Sequence, residues 1–352
     1  MNVQHKAVDP AAQFDTLLVC GVGLIGGSFA RALREAHHAG RVGGIGRIVG
    51  VDRDPAALAQ ARSLGVIDEG VVFDGLPAMA APTDALPTVD GARVGSVRAS
   101  SGGTPVPGLS LSEQIAQADV IVLCMPVAAS VALLQRIAQS MRADAVLTDV
   151  GSTKQDICTA AAASLGPMID RFVAGHPIAG AASSGIAAST ADLFQQRDVI
   201  LCPLEAENAG PTERVTALWQ AVGARVRLMS ATTHDAVFAS VSHLPHLLAF
   251  AYITHILETS DPVQRFAMAG TGFRDFSRIA ASSPDMWRDI CVANRDAILT
   301  ELDAYTAVLA RLRTAVDAGD TAATRALFDR ARDARAGWTM GAAPATSADK
   351  AQ

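Results

Sequence analysis

A chain of 352 residues is long enough for two domains, each with a core of its own. Half of it is apolar and its formal net charge is −6, so no basic stripe is present to neutralise a phosphate backbone, and nucleic acid is not an expected partner. Its five cysteines (Cys20, Cys124, Cys158, Cys202 and Cys291) are odd in number and scattered, which argues for small core residues in a reducing compartment and against a disulfide or zinc framework. The N-terminal stretch carries Asp9 and Asp15 without a basic segment, so the apolar run after it does not read as a signal peptide. The runs 120–134 and 244–257 are short and interrupted by Pro126, Pro245, His246 and His255, and neither is expected to span a bilayer. The expectation is a soluble, cytoplasmic protein with no membrane and no metal.

Residues 1–13 are polar and are expected to be loose. The apolar run Phe14 to Cys20 then meets Gly21-Val-Gly23-Leu24-Ile25-Gly26 and passes into a segment with helical apolar spacing from Ser28. Strand, glycine turn and helix in that order form a dinucleotide fingerprint. Gly21 permits the tight turn, Gly23 lets backbone approach a pyrophosphate, and Gly26 lets helix and strand pack closely. Leu24 and Ile25 lie in the same turn, and the helix N-terminus offers free N–H groups to phosphate. The next strand ends in Asp52, a carboxylate suited to an adenosine ribose, which favours NAD over NADP. It arrives late because a glycine-rich loop, 40–46, precedes the strand. The neighbouring Arg53 is the one feature that would suit a 2′-phosphate.

Asp54 and Pro55 predict a capped helix, and a short third strand is expected at 70–73. Residues 77–110 crowd proline, glycine, serine and threonine without apolar period, and read as an irregular surface excursion within the first domain. Asp119 to Pro126 is an apolar strand stopped by proline, as a central parallel strand should be, and its end, Met125 and Pro126, is expected to face the cofactor crevice. A further strand, 145–149, leads to Gly151-Ser152-Thr-Lys154 and a helix. Ser152 is expected as the helix cap, with its hydroxyl over the crevice. Lys154 lacks the glycine spacing of a phosphate loop. Residues 172–174 enter Gly175-His176-Pro177, and 198–202 and 225–229 complete the strands. From Thr232 the pattern is helix alone, over 233–243, 246–258, 284–318 and 321–336, followed by a polar tail, 339–352. The expected fold is α/β: a Rossmann-like, doubly wound, mainly parallel sheet over residues 14–230, then an all-helical substrate and dimerisation domain over 231–338.

Three places carry chemistry. His176 is read as a loop residue just past a strand end, where such sheets present side chains to ligand, and imidazole titrates near neutrality. His243-Leu-Pro-His246 sets two imidazoles around a proline with no third metal ligand nearby. Gly270-Thr271-Gly272 precedes Arg274 and Arg278, whose planar guanidinium groups suit a carboxylate.

Taken together, Gly21–Ser28, Asp149–Lys154, Gly175-His-Pro-Ile-Ala-Gly180, Val241-Ser-His-Leu-Pro-His246, Phe273-Arg-Asp-Phe-Ser-Arg278 and Met286-Trp-Arg-Asp289 resemble the prephenate/arogenate dehydrogenase family, in order, from about Thr16 to Leu312. The resemblance implies NAD-dependent oxidative decarboxylation of a cyclohexadienol, made irreversible by aromatisation, in a homodimer of tyrosine biosynthesis. It implies that His176 takes the ring hydroxyl's proton and that Ser152 positions that hydroxyl, His176 and the nicotinamide. Arg278 would bind a substrate carboxylate, and His243, His246, Thr271 and Gly272 would line the substrate site. Where many relatives carry an acid after the His-Pro motif this chain has Ala181-Ala-Ser-Ser184, which leaves prephenate and arogenate both open. No chorismate mutase segment or regulatory domain is recognisable, so a monofunctional enzyme is expected. The rival readings are another two-domain NAD(P) dehydrogenase of the β-hydroxyacid or imine-reductase kind, and a catalytically silent NAD-sensing module. The first, in its lysine-dependent versions, is weakened because no lysine occurs between Lys154 and Lys350.

Overall fold

A computed structural model describes residues 13–73, 109–181, 183–204 and 209–339. The expected loose tails and the body of the 77–110 excursion lie outside the described residues. Two compact units emerge, one made of residues 1–149, 160–172 and 183–192, the other of 150–159, 173–182 and 193–352.

The first unit is built on β1 (Phe14–Cys20), α1 (Leu24–His38), β2 (Ile45–Asp52), α2 (Pro55–Ser63), β3 (Glu69–Val72), α3 (Leu111–Gln117), β4 (Val120–Leu123), α4 (Val127–Ser140) and β5 (Val146–Asp149). Its strands pair in parallel in the order β3-β2-β1-β4-β5. The chain walks from β1 to β3 on one side, then returns to place β4 on the other, so the crevice of a doubly wound sheet opens beyond the ends of β1 and β4. Continuous Val/Ile/Leu runs make these strands because both faces are covered: Leu17, Leu18, Val19, Val120, Ile121 and Val122 are fully buried. At the other end, the Asp119 carboxylate accepts the backbone N–H groups of Asp15 and Thr16, each at 2.8 Å, and so fixes where β1 begins beside β4.

Glycine at two turn positions is forced by space. Gly21 has φ +101°, and a Cβ there would stand 2.5 Å from the Cys124 carbonyl oxygen. A Cβ at Gly26 would lie 2.1 Å from the Gly21 carbonyl oxygen and 2.9 Å from Val19.

After β5 come α5 (Gln155–Leu165), a 3₁₀ turn, β6 (Phe172–Pro177), β7 (Asp198–Pro203), α6 (Ala209–Ala221) and β8 (Arg225–Leu228). β7 runs antiparallel to β6 and parallel to β8. His176 therefore stands on β6, paired with Ile200, and not in a loop after the strand as the sequence suggested. The helices follow as α7 (Ala231–Phe238), a π turn (Ala239–His243), α8 (Leu244–Leu257), α9 (Pro262–Ala267), α10 (Thr271–Ser277), a 3₁₀ turn (Arg278–Ala281), α11 (Pro284–Ala293), α12 (Arg295–Asp317) and α13 (Thr321–Ala336).

Two helix boundaries differ from expectation. The segments read as 233–243 and 246–258 join through the π turn, where Pro245 falls in the first turn of α8 and needs no break. The continuous run Ala231–Leu257 is 27 residues long, with a window of mean hydropathy 1.5, and is by length and composition able to cross a membrane, unlike the shorter stretch 244–257 considered alone. Conversely, the expected helix 284–318 breaks at Asn294, whose φ of −109° and ψ of 33° leave the helical region. A small apolar cluster of Ala239, Trp287, Ile290 and Ile298, packed by Leu247 and Phe250, joins these helices.

Gly26→Ala is expected to lower the unfolding free energy by about 1–3 kcal/mol, because the added methyl overlaps backbone that must move. Gly23→Ala, with nothing within 4 Å of its Cβ position, should leave it within about 1 kcal/mol. Urea unfolding of the two variants separates these outcomes.

Candidate active site

In the first unit the glycine turn opens onto uncapped backbone. Gly23 is the N-cap of α1 and no side chain caps the helix, so its first-turn N–H groups are left for a ligand such as phosphate. An added Cβ at Gly23 meets nothing within 4 Å, the clearance that a close-lying pyrophosphate needs. Leu24 and Ile25 are half-buried beside it. At the end of β2 the Asp52 carboxylate accepts the Val22 N–H at 3.0 Å and the Asp54 N–H at 3.1 Å, which holds the acid against the glycine turn. Arg53 is exposed next to it. Met125 is half-buried, and the exposed Pro126 caps α4 just beyond β4. These residues fit a dinucleotide: an open phosphate cradle, an acid at the ribose position and a strand end beside them.

The second unit gathers the other singled-out residues. His176 Nδ1 lies 2.8 Å from His234 Nε2, and His234 Nδ1 lies 2.8 Å from the Asp235 carboxylate. Phe238 packs against both rings, its centroid 4.9 Å from that of His176 and 4.4 Å from that of His234. Burial drives the His176 pKa well below the ordinary histidine value of 6.5, and the neighbouring His234, Lys154 and His243 push the same way. At neutral pH its imidazole is therefore uncharged and able to accept a proton.

Asp235 ties three segments together. Its carboxylate accepts the N–H groups of Lys154 at 2.8 Å and Gln155 at 2.9 Å, in addition to the His234 ring. Burial raises the Asp235 pKa, but the His234 bond and the Gln155 and Lys154 backbone bonds outweigh it and leave the group lowered. The start of α5 is thus capped from α7 and not by Ser152, as the sequence suggested. Lys154, fully buried, reaches under the strand to donate to the Gly175 carbonyl at 2.6 Å, beside His176.

His243 is buried at the end of the π turn. The Asn294 side-chain amide donates to its Nδ1 at 3.1 Å and to the Asp235 backbone carbonyl at 2.8 Å. Burial lowers the His243 pKa to about 4, while the Asp235 charge and the Ser152 backbone act in the opposite direction. Ser152 is thereby placed against His243. One turn later, His246 stacks on Trp287 with centroids 3.8 Å apart, and its Nδ1 donates to the Ser242 carbonyl at 2.8 Å, which leaves Nε2 as an acceptor. Burial also lowers the His246 pKa, and the Arg278 charge adds to the effect. The turn carrying the exposed Arg278 packs on α8. Thr271 and Gly272 stand at the exposed start of α10, the helix that leads into Arg278.

His176, Ser152, His243, His246 and Arg278 therefore belong to one compact unit, linked pairwise by bonds, stacking or charge. Sequence reasoning missed His234, Asp235 and Asn294. The signal was faint: adjacent polar residues inside an apolar helical run, and an asparagine where a helix pattern continued.

The model of the prephenate dehydrogenase nucleotide-binding domain matches residues 108–228, and that of the prephenate dehydrogenase dimerization domain matches residues 230–330. The chain is 34% identical over 338 residues to a prephenate dehydrogenase of Bacillus subtilis, spanning 94% of this chain and 79% of that one. It is 36% identical over 214 residues to a cyclohexadienyl dehydrogenase of Zymomonas mobilis, spanning 60% of this chain and 72% of that one. Among solved structures, prephenate dehydrogenase from A. aeolicus in complex with hydroxyphenyl propionate and NAD+ superposes with a TM-score of 0.74 at 30% identity, covering 92% of this chain and 98% of that one.

The unfolded chain protonates His243 near 6.5 and the folded one near 4, so its share of stability is present above pH 6.5 and is lost as pH falls toward 4. His243→Gln, whose amide oxygen can still accept from Asn294, should lose less unfolding free energy between pH 7 and pH 4.5 than the unsubstituted chain in urea titrations.

Proposed function

Because the chain belongs to the prephenate dehydrogenase family, we propose that it catalyses the NAD-dependent oxidative decarboxylation of prephenate to 4-hydroxyphenylpyruvate, and/or of arogenate to tyrosine. The observation that carries this reading is the half-buried, uncharged His176 set in one unit with Ser152, His243, His246 and Arg278. Gly21, Gly23, Leu24, Ile25, Gly26, Asp52, Met125 and Pro126 would hold the dinucleotide, with Ser152 at its nicotinamide end, and the bound NAD supplies the acceptor for the hydride of the ring carbinol carbon. Asp52 favours NAD, and Arg53, pointing to solvent, is a weak invitation to NADP.

His176 accepts the ring hydroxyl's proton while carbon dioxide leaves with breakage of the ring–carboxylate bond, its electron pair entering the ring as the hydride departs. The resulting phenolate oxygen takes the proton back, so His176 ends as it began and no net proton is released. Arg278 grips a carboxylate of the substrate, and the free acceptor nitrogen of His246 faces the substrate side chain together with Thr271 and Gly272. Low pKa values at His176 and His246 keep both rings neutral at working pH. We divide the chain functionally into the dinucleotide domain, 14–230, and the substrate and dimerisation domain, 231–338. A homodimer accounts for the apolar side chains exposed on the helices, among them Val241, Val263, Met268 and Val292 at 65%, 82%, 79% and 73%. The buried His234, Asp235 and His243 within the long apolar run favour a helix of a soluble, cytoplasmic enzyme over a membrane span.

Absorbance at the NADH band with prephenate and with arogenate tests the activity directly, and no reduction with either ends the proposal. His176→Asn is expected to remove most turnover, about 10²-fold or more, with NAD affinity nearly intact. Arg278→Ala should mainly raise the substrate KM, by roughly tenfold or more for a charge-assisted contact of about 1.5–3 kcal/mol. The acid limb of kcat/KM should lie below pH 6.5, because burial holds His176 neutral under the ordinary value.

A further inference from the structure

We propose that His234 and Asp235 are positioning residues that decide which nitrogen of His176 carries hydrogen, leaving Nε2 as the proton acceptor. The inference rests on the reading of His176 as the base. It follows from donors and acceptors taken in sequence along one line, from the buried Asp235 through the buried His234 to the half-buried His176. The Asp235 carboxylate only accepts, and it already takes two backbone N–H groups from Lys154 and Gln155. Its 2.8 Å contact with His234 Nδ1 therefore requires hydrogen on that nitrogen. A neutral His234 then has a bare lone pair on Nε2. The 2.8 Å contact from that atom to His176 Nδ1 in turn requires hydrogen on Nδ1 of His176. What remains to a neutral His176 is a lone pair on Nε2, the nitrogen directed away from His234.

Burial makes the assignment matter. His234 and Asp235 are 0% and 1% exposed, so their bond is shielded from solvent, while His176 at the end of the line is half-buried. Phe238 packs on both rings, and Lys154 holds the Gly175 carbonyl next to His176. The titratable groups facing His176 are His234 from α7, Lys154 from the turn before α5, and His243 from the π turn. Asp235, bonded to His234, is the anion that stands behind them. When His176 becomes an imidazolium, its Nδ1–H keeps its acceptor, and the Asp235 charge lies one ring away. Without His234 the Nδ1 hydrogen has no acceptor, and the alternative tautomer, with Nε2–H aimed at the substrate, is useless as a base.

Two experiments on the full chain decide it. In histidine-15N-labelled protein at pH 8, where an ordinary histidine is neutral, two-bond 1H–15N spectra should show His176 with a protonated Nδ1 and an unprotonated Nε2, its signals identified by their loss in His176→Asn. The reverse pattern overturns the proposal. In steady-state assays His234→Leu should lower kcat roughly 10²-fold while the KM values for NAD and prephenate stay within about threefold. His234→Gln, whose carbonyl oxygen accepts from the same N–H, should hold kcat within about tenfold of the unsubstituted enzyme. Equal losses in the two variants, or none in His234→Leu, refute the positioning role. Should His234→Leu not fold, the spectra and the Gln variant still decide. A fully active His176→Asn would sink the base assignment and this inference with it. An inactive His176→Asn beside an unimpaired His234→Leu would sink this inference alone.

Discussion

A single buried carboxylate holds the second unit in register. Asp235 costs free energy to bury, and it persists because two backbone N–H groups and an imidazole N–H satisfy it at hydrogen-bond distance. Those donors come from the turn after β5 and from α7, while its backbone carbonyl receives the Asn294 amide from the break between α11 and α12. Removing the acid would leave three donors without a partner in a dry place, a larger loss than the pair was worth. The same bonds that end one helix and start another also hold the His234 ring, which is bonded in turn to His176. The bonds that stabilise this unit and those that reach the candidate site are one network.

The first unit solves a different problem with less chemistry. Its turn must approach a ligand while packing a helix against a strand, and the two demands fall on different glycines. Gly21 and Gly26 leave no room for a side chain, whereas Gly23 faces open space. Asp52 serves twice, as the ribose-facing acid of the proposed cofactor site and as an acceptor for the Val22 N–H that steadies the turn.

Much of this was legible in the sequence, and the pattern of success has a physical cause. The strand, glycine turn and helix of β1 and α1 were readable because local steric demands select glycine at fixed spacing. His176 was singled out as a loop residue, whereas its strand extends three residues further than the apolar run did, since the Gly175-His176-Pro177 backbone still pairs with β7. His234 and Asp235 were not, because a buried ion-like pair inside an apolar helix is invisible to periodicity. Its partners, Lys154 and Gln155, lie some eighty positions away. The break at Asn294 carries neither proline nor glycine and is made by tertiary bonds to Asp235 and His243. Ser152 has the right residue type for a cap, yet the capping acceptor arrives from another helix.

Lysine is scarce in this chain, and its placement has a practical corollary. Among the described residues Lys154 is the one lysine, wholly enclosed and engaged with the Gly175 carbonyl. The remaining two, Lys6 and Lys350, sit at the extremities of the sequence. Among the described residues, then, an acylating reagent meets no accessible lysine in the folded chain. Modification at position 154 would instead count the molecules that have come apart.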